Sequence, residues 1–399
     1  MPDGVNLSPR TLGVTTVRVT VVTMDSHLAS AMTGAVSALR REVPGLVLSV
    51  HAADEWSSDP AALAACHEDI SRADIVLAAM LFLEEHIRAV LPALAARRDG
   101  CDAMLCIMSA GEVMRLTRLG RLDMGAEATG LMGLLKRLRG SKGAGNGSSS
   151  GKMQMRMLRD LPKLLRFIPG TAQDLRAYFL ALQYWLAGSP VNLANLVRML
   201  VNRYAGGPRA RLVGTLKVGA PESYPDVGLY HPRLPGRVTE EVTRLPAQGH
   251  AGTVGLLVMR SYVLAGNAAH YDGVIAALEA RGLNVIPAFA SGLDNRPAVE
   301  RYFRRHGAPA VDAVVSLTGF SLVGGPAWND AHAAEEVLAG LDVPYLAAHP
   351  LEFQTVEQWR ADPRGLTPVE ATMMVAIPEL DGAICPMTYG GRSAAGTGE

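Results

Sequence analysis

The 399-residue chain sets 38 Lys and Arg against 38 Asp and Glu, so bulk charge selects neither a nucleic acid nor an anionic membrane surface. Apolar residues make up 49% and charged residues 19%, a globular composition, and the length suffices for two or three domains with cores of their own. No apolar run reaches the roughly 18–20 residues of a membrane span, and the first residues lack the basic-then-apolar form of a signal peptide.

From residue 15 the chain alternates strand-like and helix-like patterns. TVRVTVVTM (15–24) is a β-branched run, and HLASAMTGAVSALRRE (27–42) has helical spacing, with Asp25 or Ser26 as its N-cap. LVLSVHA (46–52), DIVLAAMLF (74–82) and AMLCIM (103–108) are further strands. AALAACHEDISR (61–72) and EEHIRAVLPALAARR (84–98) are the helices between them. Near-continuous apolar strands separated by helices predict parallel βαβ units in a doubly wound sheet. The four cysteines, Cys66, Cys101, Cys106 and Cys385, form no CxxC pair; they fit a reducing cytoplasm, and their spacing is wrong for structural zinc. Cys101 and Cys106, in or beside DAMLCIM, read as buried structural thiols.

GSKGAGNGSSSGK (140–152) has the composition of a flexible coil. Its Gly-Lys ending does not make a P-loop: Asn146 stands where the motif needs glycine, Met153 follows the lysine, and no strand feeds the loop. Residues 152–205 then read as three helices, with Ser189 as N-cap and Pro190 at the first helical position of the last. Tyr178, Phe179, Tyr184 and Trp185 fall at helical spacing, as core residues or as the wall of a planar ligand site. The Pro, Gly and Tyr of 206–250 predict a loop-dominated connector.

A second α/β unit follows. TVGLLVM (253–259), LNVIPAFA (283–290), AVDAVVSLTG (310–319), VPYLAA (343–348) and the strand-like MMVAIP (373–378) alternate with helices over 270–282, 297–307 and 330–340, Gly282 closing the first of these. The predicted fold class is therefore α/β: two doubly wound parallel-sheet units joined by a helical segment and a Pro/Gly-rich connector. The expected segments are a head at 1–139, a flexible loop at 140–151, helices at 152–205, a connector at 206–250, the second unit at 251–391 and a tail at 392–399.

In this second unit, the loop after the first strand carries Arg260, Ser261, Tyr262, Asn267, His270 and Asp272; the loop after the third carries Thr318, Gly319, Phe320, Ser321, Gly324 and Gly325. Both lie at predicted C-terminal strand ends, where open α/β sheets hold ligands. The plainer reading makes Asn267 or His270 a capping residue and Gly324-Gly325-Pro326 a tight turn. His270 and Asp272 are two apart and diverge on a helix, which does not make a catalytic pair. His349 reads as a loop residue bonded to backbone or as a metal ligand or proton carrier. HExxH is absent, and no local set amounts to a complete active site.

RSYVLAGNAAHYDGVIAALEARGLNVIPAFASGLDNRPAVE, TGFSLVGGPAWND, PLEFQTVEQW and PVEATMMVAIPELDGA are long and specific. They are similar to the large, porphyrin-binding (H) subunits of the magnesium chelatases, which insert Mg2+ into protoporphyrin IX in chlorophyll and bacteriochlorophyll synthesis. The absence of plant-like insertions resembles the bacterial, bacteriochlorophyll type, and the chain matches the N-terminal third of such a subunit, a truncated form. The resemblance implies protoporphyrin IX and Mg2+ as substrates. It implies ATP hydrolysis by partner AAA+ (I) and D subunits and not by this chain, and a cytoplasmic setting that can lie peripheral to the photosynthetic membrane. Catalytic positions belong to the missing body. Arg260, Tyr262, Asn267, His270 and Asp272 are the substrate-binding candidates, through aromatic walls and a cation for the propionates. The alternatives are a cobaltochelatase-type subunit acting on a corrinoid and a two-lobed small-ligand binding module.

Overall fold

A computed structural model describes residues 15–24, 28–56, 59–125, 161–246, 249–325, 328–391 and 393. The chain divides into two compact units, Met1–Glu222 and Ser223–Glu399.

The first unit is built on four parallel strands: β1 (Val17–Thr23), β2 (Leu46–Ala52), β3 (Ile75–Ala79) and β4 (Ala103–Ile107). They lie in the order β2-β1-β3-β4, and two-residue antiparallel strands at Arg118–Leu119 and Leu122–Asp123 extend the β4 side. The connecting helices are α1 (Ala29–Glu42), α2 (Pro60–Arg72) and α3 (Glu84–Arg97). Asp59 caps α2, its carboxylate accepting the Ala61 N–H at 2.9 Å, with Pro60 at the first helical position. At the start of α1, Leu28 stands at the N-cap without a side-chain bond. Asp25 and Ser26, the expected caps, lie outside the described residues, as does the Gly/Ser stretch 140–151. On the α2 and α3 side, Val22, Cys66, Ile70, Val76, Val90, Leu94, Met104 and Cys106 form one buried cluster. Burial above all pushes the Cys66 and Cys106 thiols up to about 12, so both are structural.

Helices α4 (Thr171–Ala187) and α5 (Pro190–Tyr204) belong to this same unit, α5 lying along α1. Gly34 of α1 permits that approach, because a Cβ there would stand 3.2 Å from the Pro190 ring. The Ser189 hydroxyl accepts the Asn192 N–H, the expected cap. Tyr178, Phe179, Tyr184 and Trp185 are all buried, so the aromatic spacing is core. Asn192, Asn195 and Asn202 line one face of α5 and bond the backbone of Glu222, Gly219 and Leu216 at 2.9–3.0 Å. The stretch 216–222 is thereby held by side-chain amides in place of strand pairing among the described residues.

The main sheet of the second unit has seven strands: β5 (Val227–Tyr230), β6 (Val238–Thr239), β7 (Thr253–Leu257), β8 (Asn284–Ala290), β9 (Ala313–Ser316), β10 (Tyr345–Leu351) and β11 (Ile384–Gly391). Their order is β11-β10-β9-β7-β8-β5-β6; the first five are parallel and the last two antiparallel. Helices α6 (Arg260–Ala265), α7 (Ala269–Glu279), α8 (Ala331–Leu341) and α9 (Val356–Ala361) connect them. Gly282, at φ 78°, closes α7: its N–H donates to Glu279 O at 2.9 Å and the Leu283 N–H to Leu278 O at 3.3 Å.

Four expectations change here. MMVAIP is helical, within a helical run from Pro368 to Leu380, and the strand that follows is β11. An apolar run of six cannot separate the two states by pattern, and Pro368 at the first helical position with the Thr367 capping box favours the helix. The connector contributes β5 and β6 to the sheet. The expected helix 297–307 ends at Phe303, and Arg304–Arg305 pairs with Ala308–Pro309 in a hairpin. His349 lies within β10, not in a loop.

Candidate functional site

In the second sheet β7 lies between β8 and β9, so the chain's winding reverses beside it. The carboxyl ends of the strands beside such a reversal, here β7 and β9, are the usual ligand position in open α/β sheets. The segment after β7 leads directly into α6 and α7, which places Arg260, Tyr262, Asn267, His270 and Asp272 near that edge.

These five do not act together. The Tyr262 hydroxyl donates to Glu352 Oε2 at 2.6 Å, joining α6 to the residue just past β10. The His270 ring lies 5.6 Å from Tyr262 edge-on, 3.9 Å from Tyr271 and 6.2 Å from Tyr389 of β11, stacked at 26°. Tyr271 is buried and its hydroxyl accepts the Met259 N–H at 3.2 Å, fixing the turn out of β7. The result is an aromatic cluster backed by one carboxylate. Asn267 closes α6 through its backbone N–H on Tyr262 O at 3.0 Å. Arg260 reaches the carbonyls of Pro225 at 2.9 Å and Tyr224 at 3.3 Å, holding the segment that leads into β5. Asp272 faces another way, accepting the Tyr230 hydroxyl with Arg237 at 3.8 Å. Glu352 and Tyr389, which complete the cluster, lie about 80 to 120 residues further along the chain. The only local sign of them is their place in PLEFQTVEQW and MTYGG.

Buried polar groups support the same edge. His349 is buried on β10, and burial holds its imidazole below the usual histidine range, partly offset by the Pro350 carbonyl and Glu370. Thr318 is tied to Ser316, hydroxyl to hydroxyl at 3.0 Å, and Ser321 bonds within its own turn, so the loop after β9 is held by its own side chains. Gly324 and Gly325 pair antiparallel with Trp328–Asn329, while Pro326 of the expected tight turn lies outside the described residues.

Asp381 accepts the Leu322 N–H at 2.7 Å beneath this loop, and burial raises its carboxyl above the usual aspartate range. The folded state then binds that proton more tightly than the unfolded chain. Stability from this group is greatest in acid and is lost as pH rises from the ordinary value of 3.8 through the raised one. Asp381→Asn keeps an acceptor for Leu322 and removes the buried charge. It is expected to stabilise the protein by about 1 kcal/mol at pH 7, a gain that shrinks below about pH 4. Thermal melts at both pH values check this; a lower midpoint at pH 7 would contradict it.

Among the described residues no group of three or more His, Cys, Asp and Glu is arranged to hold a metal, and no helix is long and apolar enough to cross a membrane. Two surface depressions of about 320 and 630 Å3 open in the first unit, one beside Met32, Arg40 and Leu48, the other beside Leu91, Arg98 and Asp123. Neither touches the aromatic cluster. Strand-end position and convergent side chains, not hollow volume, mark the site.

Residues 182–399, more than half of the sequence, match the family model described as CobN/Magnesium Chelatase. The chain belongs to that family. Residues 18–179 match a domain of unknown function, DUF3479. The magnesium-chelatase H subunit of Cereibacter sphaeroides is 54% identical over 94% of this chain, and that of Rhodobacter capsulatus 50% over 94%. The chloroplastic magnesium-chelatase protein ChlH of Oryza sativa is 36% identical over 95%. The chain spans 31% of the length of the two bacterial relatives and 28% of the rice one. These matches cover nearly the whole sequence, as the resemblance to the N-terminal third of such a subunit implies.

Proposed function

We propose that this chain is part of the porphyrin-binding subunit of a magnesium chelatase, acting in ATP-driven insertion of Mg2+ into protoporphyrin IX for bacteriochlorophyll synthesis. The observation that carries this is 54% identity over 94% of the chain to a magnesium-chelatase H subunit. Protoporphyrin IX and Mg2+ are its substrates, partner I and D subunits hydrolyse the ATP, and the complex works beside the photosynthetic membrane. Tyr262, His270 and Tyr389 offer the flat apolar face a macrocycle needs, and Glu352 holds the Tyr262 ring in place. Arg260, Asn267 and Asp272 act behind this face, through the backbone and Tyr230.

Titration with deuteroporphyrin, followed by porphyrin fluorescence, tests the assignment. Tyr262→Ala and His270→Ala are expected to weaken binding about tenfold each. Asp272→Ala is expected to leave affinity within about twofold. Unchanged affinity in both ring variants would refute the site, whereas tighter binding of hydrogenobyrinate diamide than of deuteroporphyrin would point to a corrinoid substrate.

A further inference from the structure

The first sheet has its own winding reversal. Its order, β2-β1-β3-β4, puts the crevice at the carboxyl ends of β1 and β3, in a unit to which the aromatic cluster does not belong. Four observations meet there. Met80, directly after β3, takes φ 63°, and Met108, directly after β4, takes φ 46°. Left-handed backbone at non-glycine residues costs of order 1 kcal/mol or more and collects at ligand sites. Phe82 and Leu83 follow Met80 and are 52% and 43% exposed, although the strand before them is wholly buried. Trp56, just past β2, packs edge-on to His86 of α3, ring centres 5.9 Å apart; the two residues are 8% and 9% exposed. Finally, Trp56 Nε1 and His86 Nδ1 are buried and have no hydrogen-bond partner among the described residues.

A buried polar atom without a partner costs about 1–3 kcal/mol, and here two such atoms sit on neighbouring rings at a strand-end crevice. Trp56 shares one apolar cluster with Val22 of β1, Ala78 of β3 and Leu81. Local charge sets the kind of ligand. Glu84 and Glu85 occupy the first turn of α3, and Leu83 gives that turn no side-chain cap. Arg88, the nearby cation, is paired with Glu84. Among the described residues of that turn an anion would meet two carboxylates, with the Arg88 guanidinium already paired. Burial holds the His86 imidazole below the usual range, so at neutral pH it is uncharged.

We propose that the first unit carries a separate small-molecule site at the carboxyl ends of β1 and β3. There Trp56 Nε1 and His86 Nδ1 hydrogen-bond an uncharged polar edge of a flat ligand whose body lies against Phe82 and Leu83. The site is independent of the porphyrin reading of the second unit.

Equilibrium dialysis of the whole chain with lumichrome and adenosine, each against its phosphorylated counterpart (FMN and AMP), tests it. One uncharged probe is expected to bind saturably at one site, at least about tenfold tighter than its phosphorylated form. Trp56→Phe, which keeps an aromatic ring and removes the donor, should weaken that binding about tenfold without lowering the melting temperature, because the N–H has no partner among the described residues. His86→Leu is the second arm, with the same expected loss of affinity. Equal or tighter binding of the phosphorylated probes would overturn the proposal, as would no binding of either uncharged probe up to about 1 mM. A lowered melting temperature in Trp56→Phe with unchanged affinity would assign the two atoms to an ordered water instead.

Discussion

Phe303→Ala is expected to destabilise the second unit by about 3–5 kcal/mol, read from denaturant unfolding at neutral pH. Phe303 is fully buried, and its ring fills a notch over Gly255 in the central strand β7. A Cβ built on Gly255 would stand 2.8 Å from that ring, so the strand carries glycine where β-propensity asks for a branched residue. Glycine in a strand costs about 0.5–1 kcal/mol relative to alanine, and the buried ring more than offsets it. Gly255→Val alone should cost about 1–3 kcal/mol by overpacking. The double variant should cost clearly less than the sum, because valine occupies space the ring leaves. Additive losses would show that residue and ring are not coupled, and a loss under about 1.5 kcal/mol for Phe303→Ala would dismiss the notch altogether.

That notch was not legible in the sequence, although the strand that contains it was. In TVGLLVM the apolar run outweighs one glycine, and β7 appears where the pattern puts it. The first unit was readable for the same reason: β2 occupies 46–52 as expected, and α2 and α3 deviate by one residue at their ends. Long periodic segments flanked by Asp-Pro or Gly leave few alternatives. The second unit was harder. VGLY and VT lie among prolines and glycines, and only pairing with β8 makes β5 a strand. In ICPMTYGG the apolar signal is thin, while MMVAIP carries more of it and is helical; β11 exists because β10 offers it a parallel edge. The candidate site was half visible. Tyr262 and His270 stand out at a strand end, but their partners Glu352 and Tyr389 arrive through tertiary pairing that no local spacing encodes. Asp272, equally prominent in sequence, faces Tyr230 instead.

Glu370→Ala is expected to cost about 3 kcal/mol and to disorder the approach to the aromatic cluster. The Glu370 side chain is fully buried yet its carboxylate is saturated: it accepts the Phe353 N–H at 3.0 Å, the Thr367 N–H at 3.3 Å and the Thr367 hydroxyl at 2.9 Å. Those bonds clasp the two ends of the excursion that leaves β10, runs through α9 and returns at Thr367. Gln354 adds a second tie across it, to Gly365 and Thr367. Glu352, the acceptor for Tyr262, is the residue before Phe353, so opening the clasp removes the support of the Tyr262 ring. Alanine removes the acceptor of the Phe353 N–H and the Thr367 hydroxyl, and leaves the Thr367 N–H only its bond to Gln354. Glutamine keeps one acceptor oxygen but turns an N–H2 toward a backbone N–H, and should fall between alanine and the native residue. Tyr262→Phe separates the effects, since it removes the hydroxyl that bonds Glu352 and leaves the Glu370 clasp intact: it should weaken deuteroporphyrin binding while leaving the unfolding midpoint nearly unchanged. Glu370→Ala should move both. A Glu370→Ala protein that unfolds at the native midpoint would show that the excursion holds its shape without the clasp, and Glu352 would then owe its position to β10 alone.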